Sequence, residues 1–389
     1  MTPAELMAEH GSPLWLVDLD RVRTRLREFR ATWERAWPTV EIAYSYKTNR
    51  QPAIILALAA EGAGHEVVCE AEYALARDAI GAAGPDVIVN GPAKPDALLE
   101  RAARAGVERI GLRVALPGIG VEPTRFGIAP AEVARAAARA RALGLELEAL
   151  SAHLVSTGFD QPLSRAPRLG AAITVQWPPA PDGHGAAAER LARLAVDLGV
   201  GAIDLGGGFP AAPAVAAHAA AVAGALRSNG FAGRLILEPG RALVTDAVAL
   251  ALSVVAVKQL DDGTRCVVVD GGTNLLAGAL WSWPRIEAPT AGGRATAPAL
   301  VSGPLCLNVD VLHPAVDLPE LEPGDPLIVR DAGAYHQAQS TRFGDLRPAV
   351  LALDDGRWRL CRRRETLDDL LAGDHDVALA PAGSEEVRP

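Results

Sequence analysis

Short apolar runs alternate with alanine-rich segments of helical periodicity between residues 40 and 245. The apolar runs are typical of buried strands, and their alternation with helices is typical of a parallel sheet. The predicted strands span residues 41–46, 66–69, 86–90, 109–114, 147–153, 202–205 and 235–238. The predicted helices include residues 52–61, 70–82, 96–105, 130–143 and 189–198. Polar side chains suited to chemistry follow several of these strands, which favours an α/β fold of the (β/α)8 TIM-barrel type over an open sheet.

From about residue 246 the pattern changes. Runs of β-branched residues, such as ALALSVVAVKQL and TRCVVVDGG, are separated by turn residues, and helical periodicity is scarce. β-branched residues favour strands, whereas glycine, asparagine and aspartate favour turns. The pattern predicts an antiparallel β-domain in the C-terminal part of the chain.

The composition restricts the classes of protein to which the chain can belong. Its 389 residues suggest two domains, and 49% of them are hydrophobic, enough for a large core. The formal net charge is −9 and the basic residues are dispersed, which argues against nucleic acid as a partner. No apolar run reaches the roughly 18 residues of a membrane span, and the first residues lack the pattern of a signal peptide. We therefore expect a cytoplasmic protein that does not associate with a membrane.

The cysteines also indicate a cytoplasmic protein. Cys69, Cys266, Cys306 and Cys361 are widely spaced and form no CxxC pair. Such spacing indicates reduced thiols and neither a disulfide framework nor a zinc site, so we expect no bound metal.

Lys47 follows the first strand of the alternating region, in the run EIAYSYKTNR. Lysine is mostly a surface residue, so a lysine at the strand edge where α/β proteins keep their chemistry is a candidate functional residue. Burial lowers the pKa of a lysine, and the neutral amine can form a Schiff base with an aldehyde. The alternative is an ordinary lysine at the end of a strand.

Three later segments add complementary groups at other strand ends. Residues 203–210, IDLGGGFP, carry three glycines, whose backbone N–H groups can approach a phosphate closely. Residues 235–241, LILEPGR, carry a carboxylate and a guanidinium, and residues 150–158, LSAHLVSTG, carry a histidine and a serine. An amine that traps an aldehyde, a phosphate cradle, an acid and an imidazole are the groups that pyridoxal 5'-phosphate (PLP) requires.

With these segments the chain resembles the fold-type III PLP-dependent decarboxylases, the family of diaminopimelate and ornithine decarboxylases. The likeness extends from residue 11 to residue 349. The matching stretches, in the family's order, are YSYKTN, GHEVVCEAEYALA, TRFGI, HLVS, DLGGGFP, EPGR, VDGGTN, GPLC and DAGAY. The resemblance implies that a PLP-binding barrel, residues 26–245, is inserted into a β-domain formed by residues 1–25 and 246–389.

The resemblance places most of the cofactor site at the ends of the barrel strands. Lys47 would bind PLP as a Schiff base, His153 would stack on its ring, and Glu238 would pair with the pyridine nitrogen. The carboxylate keeps that nitrogen protonated, so the ring can withdraw electrons from the carbanion that forms. The other predicted cofactor contacts are Ser156, Gly206, Gly207, Gly208, Gly240, Arg241 and Tyr335. Without the resemblance, the histidine would be a core residue, the glycines a tight turn and the tyrosine a strand residue.

Two further residues are implied in the reaction. Cys306, in GPLCLNVDVL, matches the family's cysteine, whose thiol comes from the partner subunit and protonates the carbanion. The alternative is a buried structural cysteine. Asp310 falls where the family motif ends in an acid, and with Arg241 and Tyr335 it is predicted to bind the substrate. A site shared in this way implies a homodimer with two-fold symmetry and an inactive monomer.

The chain departs from the family where diaminopimelate decarboxylases bind the distal end of their substrate. Leu307 and Asn308 replace a glutamate and a serine, residues 276–278 contain no arginine, and Trp281 replaces a tyrosine. A polar substrate end without partners loses binding free energy in the transition state. These changes argue against diaminopimelate and favour a smaller or more apolar amino acid, or one presented on a carrier.

The barrel also differs from the family. The seven predicted strands are one fewer than a TIM barrel has, because residues 101–113 are too short for the strand and helix that the family carries there. Residues 158–185 are longer than usual and contain AAITVQW, which has the pattern of a strand. This segment is an extra strand, a lid or a remodelled barrel element, and the sequence does not choose among them.

These observations together predict a PLP-dependent amino acid decarboxylase. One alternative is an amino acid racemase or epimerase on the same fold, which needs a second acid or base facing Lys47, where the resemblance places Cys306. Another is a PLP-binding protein without activity, which would consist of the barrel alone, whereas this chain continues into a β-domain.

Overall fold

The computed structural model describes residues 1–105, 109–119, 126–154, 179–280, 283–289 and 295–373. The chain begins with helix α1 (Pro3–His10), strand β1 (Leu14–Asp18) and helix α2 (Leu19–Ala36). Thr2 and Glu5 form a reciprocal capping box at the start of α1, and the Asp18 side chain accepts a hydrogen bond from the backbone N–H of Arg21 at the start of α2. Each cap pairs a backbone donor that the first turn of a helix leaves without an intrahelical acceptor.

Seven parallel strands then form a curled sheet. They are β2 (Val40–Ser45), β3 (Gly64–Val67), β4 (Val87–Val89), β5 (Arg109–Arg113), β6 (Glu146–Ser151), β7 (Ala202–Asp204) and β8 (Arg234–Leu237). The helices of this region are α3 (Pro52–Ala60), α4 (Glu70–Ala74), α5 (Asp96–Arg104), α6 (Val133–Ala142), α7 (Pro181–Leu198), α8 (Val215–Ser228) and α9 (Arg241–Val244). All seven predicted strands are present, with ends within two residues of the prediction.

The order of the strands is β4-β3-β2-β8-β7-β6-β5, so the first and last strands of the barrel pair with each other. The two edges are β4 and β5, which are consecutive along the chain and flank the region where a strand and a helix were predicted to be missing. Within the described ranges the barrel therefore has seven strands and is open between β4 and β5. This confirms the α/β barrel and the seven strands predicted from the sequence.

Helix α7 is longer than predicted. It begins at Pro181, eight residues before the predicted start at residue 189. Gly183 and Gly185 lie in its first two turns, and glycine is a weak helix former, so the sequence pattern concealed this part of the helix. A Cβ atom added at Gly185 would lie 3.4 Å from the Cβ of Ala221, an ordinary contact distance, so the packing of α7 on α8 does not require glycine at this position.

The C-terminal part forms a second sheet, which is mixed rather than purely antiparallel. Its elements are β9 (Val248–Gln259), β10 (Arg265–Val269), β11 (Ile286–Glu287), β12 (Thr296–Ser302), β13 (Val311–Pro319), β14 (Pro326–Val329), α10 (His336–Gln339), β15 (Ala349–Asp354), β16 (Arg357–Arg362) and α11 (Leu367–Leu371). The order is β13-β12-β10-β9-β1-β15-β16, and β14 pairs with β9 and β11. The prediction of an antiparallel domain was wrong for two pairs, since β1 with β15 and β10 with β12 are parallel. Residues close in sequence could not reveal these non-local pairings.

Strand β1 joins this second sheet, as predicted, and helix α2 connects it to the barrel. Phe29 and Trp33 of α2 pack edge-on against Phe209, with ring centroids 6.1 and 5.1 Å from that of Phe209. On the polar side of α2, Arg21 and Arg25 bind Asp246 at 2.6 and 2.5 Å. The helix runs across the predicted boundary between residues 25 and 26, so the boundary itself stays a prediction. No helix in the described part of the chain is long and apolar enough to span a bilayer.

Candidate active site

Lys47 lies two residues beyond the end of β2, at the edge where the carboxyl ends of the barrel strands meet. Its side chain is 33% exposed, and its Nζ atom donates a hydrogen bond of 2.7 Å to Oε2 of Glu66. Glu66 is fully buried in β3, next to β2 in the sheet, and the same carboxylate oxygen accepts a 2.6 Å hydrogen bond from Ser45 Oγ. The lysine amine is therefore held in place by a neighbouring strand.

The charge environment of Lys47 differs from the one predicted. Burial lowers the pKa of Lys47, but the attraction of Glu66 and Glu238 outweighs it, and the net pKa lies above the ordinary value. Desolvation alone would have produced the expected neutral amine. The prediction of a lowered pKa was wrong because the sequence did not reveal that two carboxylates face this amine.

Asn90 connects the two carboxylates. Its Nδ2 atom donates to Oε1 of Glu66 at 3.2 Å and to Oε1 of Glu238 at 2.5 Å. Asn90 follows β4 and Glu238 follows β8, so the bridge ties together strands that lie on either side of β2 and β3. Sequence reasoning missed Glu66 and Asn90, although both lie at strand ends and Glu66 falls within the matching stretch GHEVVCEAEYALA.

Glu238 is a buried carboxylate, only 3% exposed, beside a second buried acid, Asp204. Burial raises the pKa of Glu238, yet the proximity of His153 and the charge of Lys47 bring it below the ordinary value. Burial and the repulsion of Glu238 raise the pKa of Asp204 well above its usual range. Of these two acids, Glu238 is therefore the one that is ionised at neutral pH, as an acid that pairs with a pyridinium nitrogen must be.

The three predicted glycines form a tight turn after β7, against His153. Gly206 and Gly208 adopt φ angles of +61° and +89°, a region that favours glycine. The N–H of Gly207 donates to Nδ1 of His153 at 3.1 Å, and that atom lies 3.9 Å from Oε2 of Glu238. A Cβ atom at Gly206 would overlap the imidazole ring. The structure thus brings together the glycines, the histidine and the acid that the sequence placed in three separate segments.

Arg241 follows a strand of the barrel, and Tyr335 follows a strand of the second sheet. Arg241 begins α9, and its Cζ atom lies 4.7 Å from the centroid of the Tyr335 ring, a cation–π geometry. The N–H of Tyr335 donates to the carbonyl of Thr48 at 2.8 Å, next to Lys47. Tyr335 adopts a φ angle of +65°, which is unusual for a bulky residue. A Cβ atom at Gly240 would overlap the Thr48 side chain, so glycine at position 240 is required for Thr48 to lie against the start of α9.

Cys306 lies on an exposed loop of residues 305–309, which we call the thiol loop. The exposed cysteine excludes the alternative of a buried structural cysteine, and all four cysteines are free. Leu307 and Val309, on either side of the loop's tip, are 43% and 60% exposed. The loop therefore presents a thiol beside two apolar side chains to the outside of this chain.

Asp310 holds the start of the thiol loop in place. It is 3% exposed, and its Oδ1 accepts hydrogen bonds from the N–H and hydroxyl of Thr273 at 2.7 and 3.0 Å. Its Oδ2 accepts a 2.8 Å hydrogen bond from the N–H of Leu305. The binding of substrate by Asp310 stays a prediction. Ser156, Trp281 and residues 171–177 lie outside the described residues.

Comparisons with known proteins show the family to which the chain belongs. A family model described as pyridoxal-dependent decarboxylase, C-terminal sheet domain, matches residues 15–333. Diaminopimelate decarboxylase of Deinococcus radiodurans is 30% identical over 397 aligned positions, covering 94% of this chain and 96% of that protein. The enzyme of the same name from Actinosynnema pretiosum is also 30% identical, covering 94% and 90%.

Solved structures show the same fold. Diaminopimelate decarboxylase from Helicobacter pylori, complexed with L-lysine, has a TM-score of 0.81 at 23% identity and covers 95% of this chain and 98% of its own. Lysine/ornithine decarboxylase from Vibrio vulnificus, complexed with putrescine, has a TM-score of 0.75 at 23% identity, covering 90% and 96%. By the family model and by its relatives, this chain belongs to the family of pyridoxal-dependent decarboxylases.

Proposed function

We propose that the protein is a PLP-dependent decarboxylase of an α-amino acid. The observation that carries this proposal is the convergence of Lys47 and Glu238 at the carboxyl ends of adjacent strands, connected through Glu66 and Asn90. An amine able to condense with an aldehyde and an ionised acid able to pair with a pyridinium nitrogen are the two groups on which this chemistry depends.

The residues present fit PLP. Lys47 offers the amine, Glu238 the carboxylate, and Gly206, Gly207 and Gly208 a turn in which added side chains would meet the neighbouring residues. The N–H groups of Gly206 and Gly207 donate to Oδ1 of Asp204 and to Nδ1 of His153, so the N–H of Gly208 is the donor of this turn that suits a phosphate, and His153 lies between the turn and the acid. When bound, PLP supplies an electron sink for the negative charge that develops on the substrate as CO2 leaves.

The chain's own residues prepare the amine for this role. Lys47 is protonated in the geometry observed, because Glu66 and Glu238 raise its pKa. The amine must lose a proton before it can act as a nucleophile, and Oε2 of Glu66, 2.7 Å away, is placed to accept it. Glu238 is ionised and would pair with the pyridine nitrogen, where its negative charge would keep that nitrogen protonated.

For the substrate, we propose an amino acid with an apolar or short side chain. Leu307 and Asn308 occupy the thiol-loop positions at which the resemblance expects a glutamate and a serine, and Leu276 is fully buried. A charged distal end of the substrate left without partners loses about 1–3 kcal/mol per unpaired group. Diaminopimelate is the second candidate, favoured by the names of the curated relatives.

A paired assay separates the two substrates. The wild-type protein and the double variant Leu307→Glu with Asn308→Ser are each tested for CO2 release from diaminopimelate and from a panel of apolar amino acids. We expect the wild type to prefer an apolar amino acid and the double variant to gain turnover of diaminopimelate. Efficient turnover of diaminopimelate by the wild type would establish the second candidate.

We further propose that the site is completed by a second copy of the chain. Cys306, Leu307, Val309 and Phe343 are exposed on one chain, and Phe343 is 52% exposed. An apolar surface that carries a thiol suits an interface better than contact with water.

Inactive variants Lys47→Ala and Cys306→Ala, mixed and re-assembled, should regain about 25% of the wild-type activity, since half of the dimers would hold one intact site. Mixed variants that stay inactive would argue against a shared site.

The test of the reaction itself uses the absorbance of the PLP-loaded protein and the product. A visible band that requires Lys47, with CO2 released from one substrate, is the expected result. Loss of optical rotation without CO2 would instead establish a racemase, and absence of a band that depends on Lys47 would remove the proposed function.

A further inference from the structure

Two buried histidines lie behind the glycine turn and take no part in the chemistry described above. His184, in the first turn of α7, is fully buried, and His218 of α8 is 3% exposed. Their Nδ1 atoms lie 3.1 Å apart, and Nε2 of His184 lies 3.3 Å from the carbonyl oxygen of Gly207. The ring of His184 also stacks on Phe209, with centroids 4.2 Å apart.

The chemistry of these atoms fixes the direction of both hydrogen bonds. A carbonyl oxygen can only accept, so Nε2 of His184 carries a hydrogen. Burial, then the proximity of His218, lowers the pKa of His184 to about 3, and burial lowers the pKa of His218, so both rings are neutral at neutral pH. A neutral imidazole carries one hydrogen, which makes Nδ1 of His184 the acceptor and Nδ1 of His218 the donor. The hydrogen bonds therefore run from His218 to His184 to Gly207.

Packing alone does not account for this pair. Two apolar side chains would fill the space between α7 and α8 without burying polar ring atoms. The sequence instead flanks His184 with Gly183 and Gly185, which are weak helix formers. Cβ atoms added there would lie 3.6 Å from Leu154 Cδ1 and 3.4 Å from Ala221 Cβ, which are ordinary contact distances, so packing does not require the two glycines.

We propose that His218 and His184 form a positioning relay for the phosphate of PLP. His184 holds the Gly207 carbonyl, and the planar trans peptide then directs the N–H of Gly208 to the opposite side, where the phosphate binds. Neither histidine touches the cofactor, so both act through the backbone of the turn. The inference rests on the proposed function, because it assigns the phosphate of the same cofactor to this turn.

Two variants of His218 test the relay. His218→Leu removes the donor at similar volume, whereas His218→Asn is the matched control, because its amide nitrogen takes nearly the place of Nδ1 and can still donate. The apoproteins are titrated with PLP and with pyridoxal, which lacks the phosphate. We expect His218→Leu to weaken PLP binding roughly 3- to 10-fold, the worth of one hydrogen bond, to leave pyridoxal binding unchanged, and to be rescued in His218→Asn.

A merely structural role would weaken PLP and pyridoxal alike, and that result, or unchanged PLP binding in His218→Leu, would overturn the relay. A second measurement needs no substitution and no cofactor. Nitrogen chemical shifts of the histidines in the wild-type apoprotein should show hydrogen on Nε2 of His184 and on Nδ1 of His218, and the opposite tautomers would also overturn it. Failure of the proposed function is seen separately, as a wild-type protein without a PLP band that depends on Lys47.

Discussion

The contact between Lys47 and Glu66 gives a quantitative prediction for Glu66→Gln. This substitution removes the buried negative charge and keeps an oxygen that can accept from Lys47 Nζ, now 2.7 Å from Glu66 Oε2. It also places the NH2 group of the new glutamine toward the NH2 group of Asn90, and the hydrogen bond from Asn90 is therefore lost. Glu66→Asp is the matched control, because it keeps the charge and shortens the side chain by one methylene group. We expect the pKa of Lys47 to fall in the first variant and to change little in the second.

The magnitude follows from the distance. Two unit charges 2.7 Å apart attract by about 1.5 kcal/mol at the dielectric constant of water and by about 6 kcal/mol at an effective value of about 20. Glu66 is fully buried but the Lys47 side chain is 33% exposed, so water screens the pair and the lower half of this range applies. At about 1.4 kcal/mol per pKa unit, the pKa of Lys47 should fall by about one to three units.

The assay is the rate at which the apoprotein binds PLP covalently, followed by visible absorbance from pH 7 to 12, because the pKa of wild-type Lys47 lies above the ordinary value for lysine. Only the neutral amine attacks an aldehyde, so the rate rises with pH and its midpoint reports the pKa of Lys47. The midpoint should move to lower pH in Glu66→Gln, with Lys47→Ala as the blank. A midpoint that stays in place or rises would refute the electrostatic reasoning.

Three other predictions concern the turn, the thiol loop and the link between the sheets. Gly206→Ala should abolish PLP binding measured by titration, because its φ angle is +61° and a Cβ would overlap His153. Asp310→Asn should lower the free energy of unfolding in urea by about 1–3 kcal/mol and expose the thiol loop to proteolysis. Burial raises the pKa of Asp246, but hydrogen bonds from Arg25 and Arg21 bring it below the ordinary value. The contribution of Asp246 to stability is therefore present above about pH 4 and is lost as the pH falls through that lowered pKa. Asp246→Asn should therefore flatten the loss of stability between pH 5 and 2, measured by urea unfolding at each pH.

The fold was predictable wherever it depends on local patterns. The seven barrel strands were located within two residues, because each is a short apolar run between turn residues. The start of α7 was missed because Gly183 and Gly185 are weak helix formers, so the sequence there lacks the pattern of a helix. The parallel pairing of β1 with β15 was missed because it joins residues more than 300 positions apart.

The candidate site was predictable in its residue types and incomplete in its contacts. Lys47, His153, Glu238 and the glycines were found because each lies in a matching stretch at a strand end, and the structure brings them together. The raised pKa of Lys47 was missed because it depends on Glu66. Nothing in the sequence shows that the neighbouring strand places Oε2 of Glu66 2.7 Å from Nζ of Lys47.

By itself, the sequence determined the order of strands and helices, the family, and the positions at which only glycine can be accommodated. These follow from hydrophobic periodicity and from backbone conformation, which act over a few residues. Only the tertiary structure decided which polar groups face each other, as for Asn90 and Glu238, 148 positions apart, and for the two histidines behind the turn. Burial and charge compensation are properties of non-local contacts, so the protonation states of Lys47, Glu238 and His184 were settled only when the strands and helices packed together.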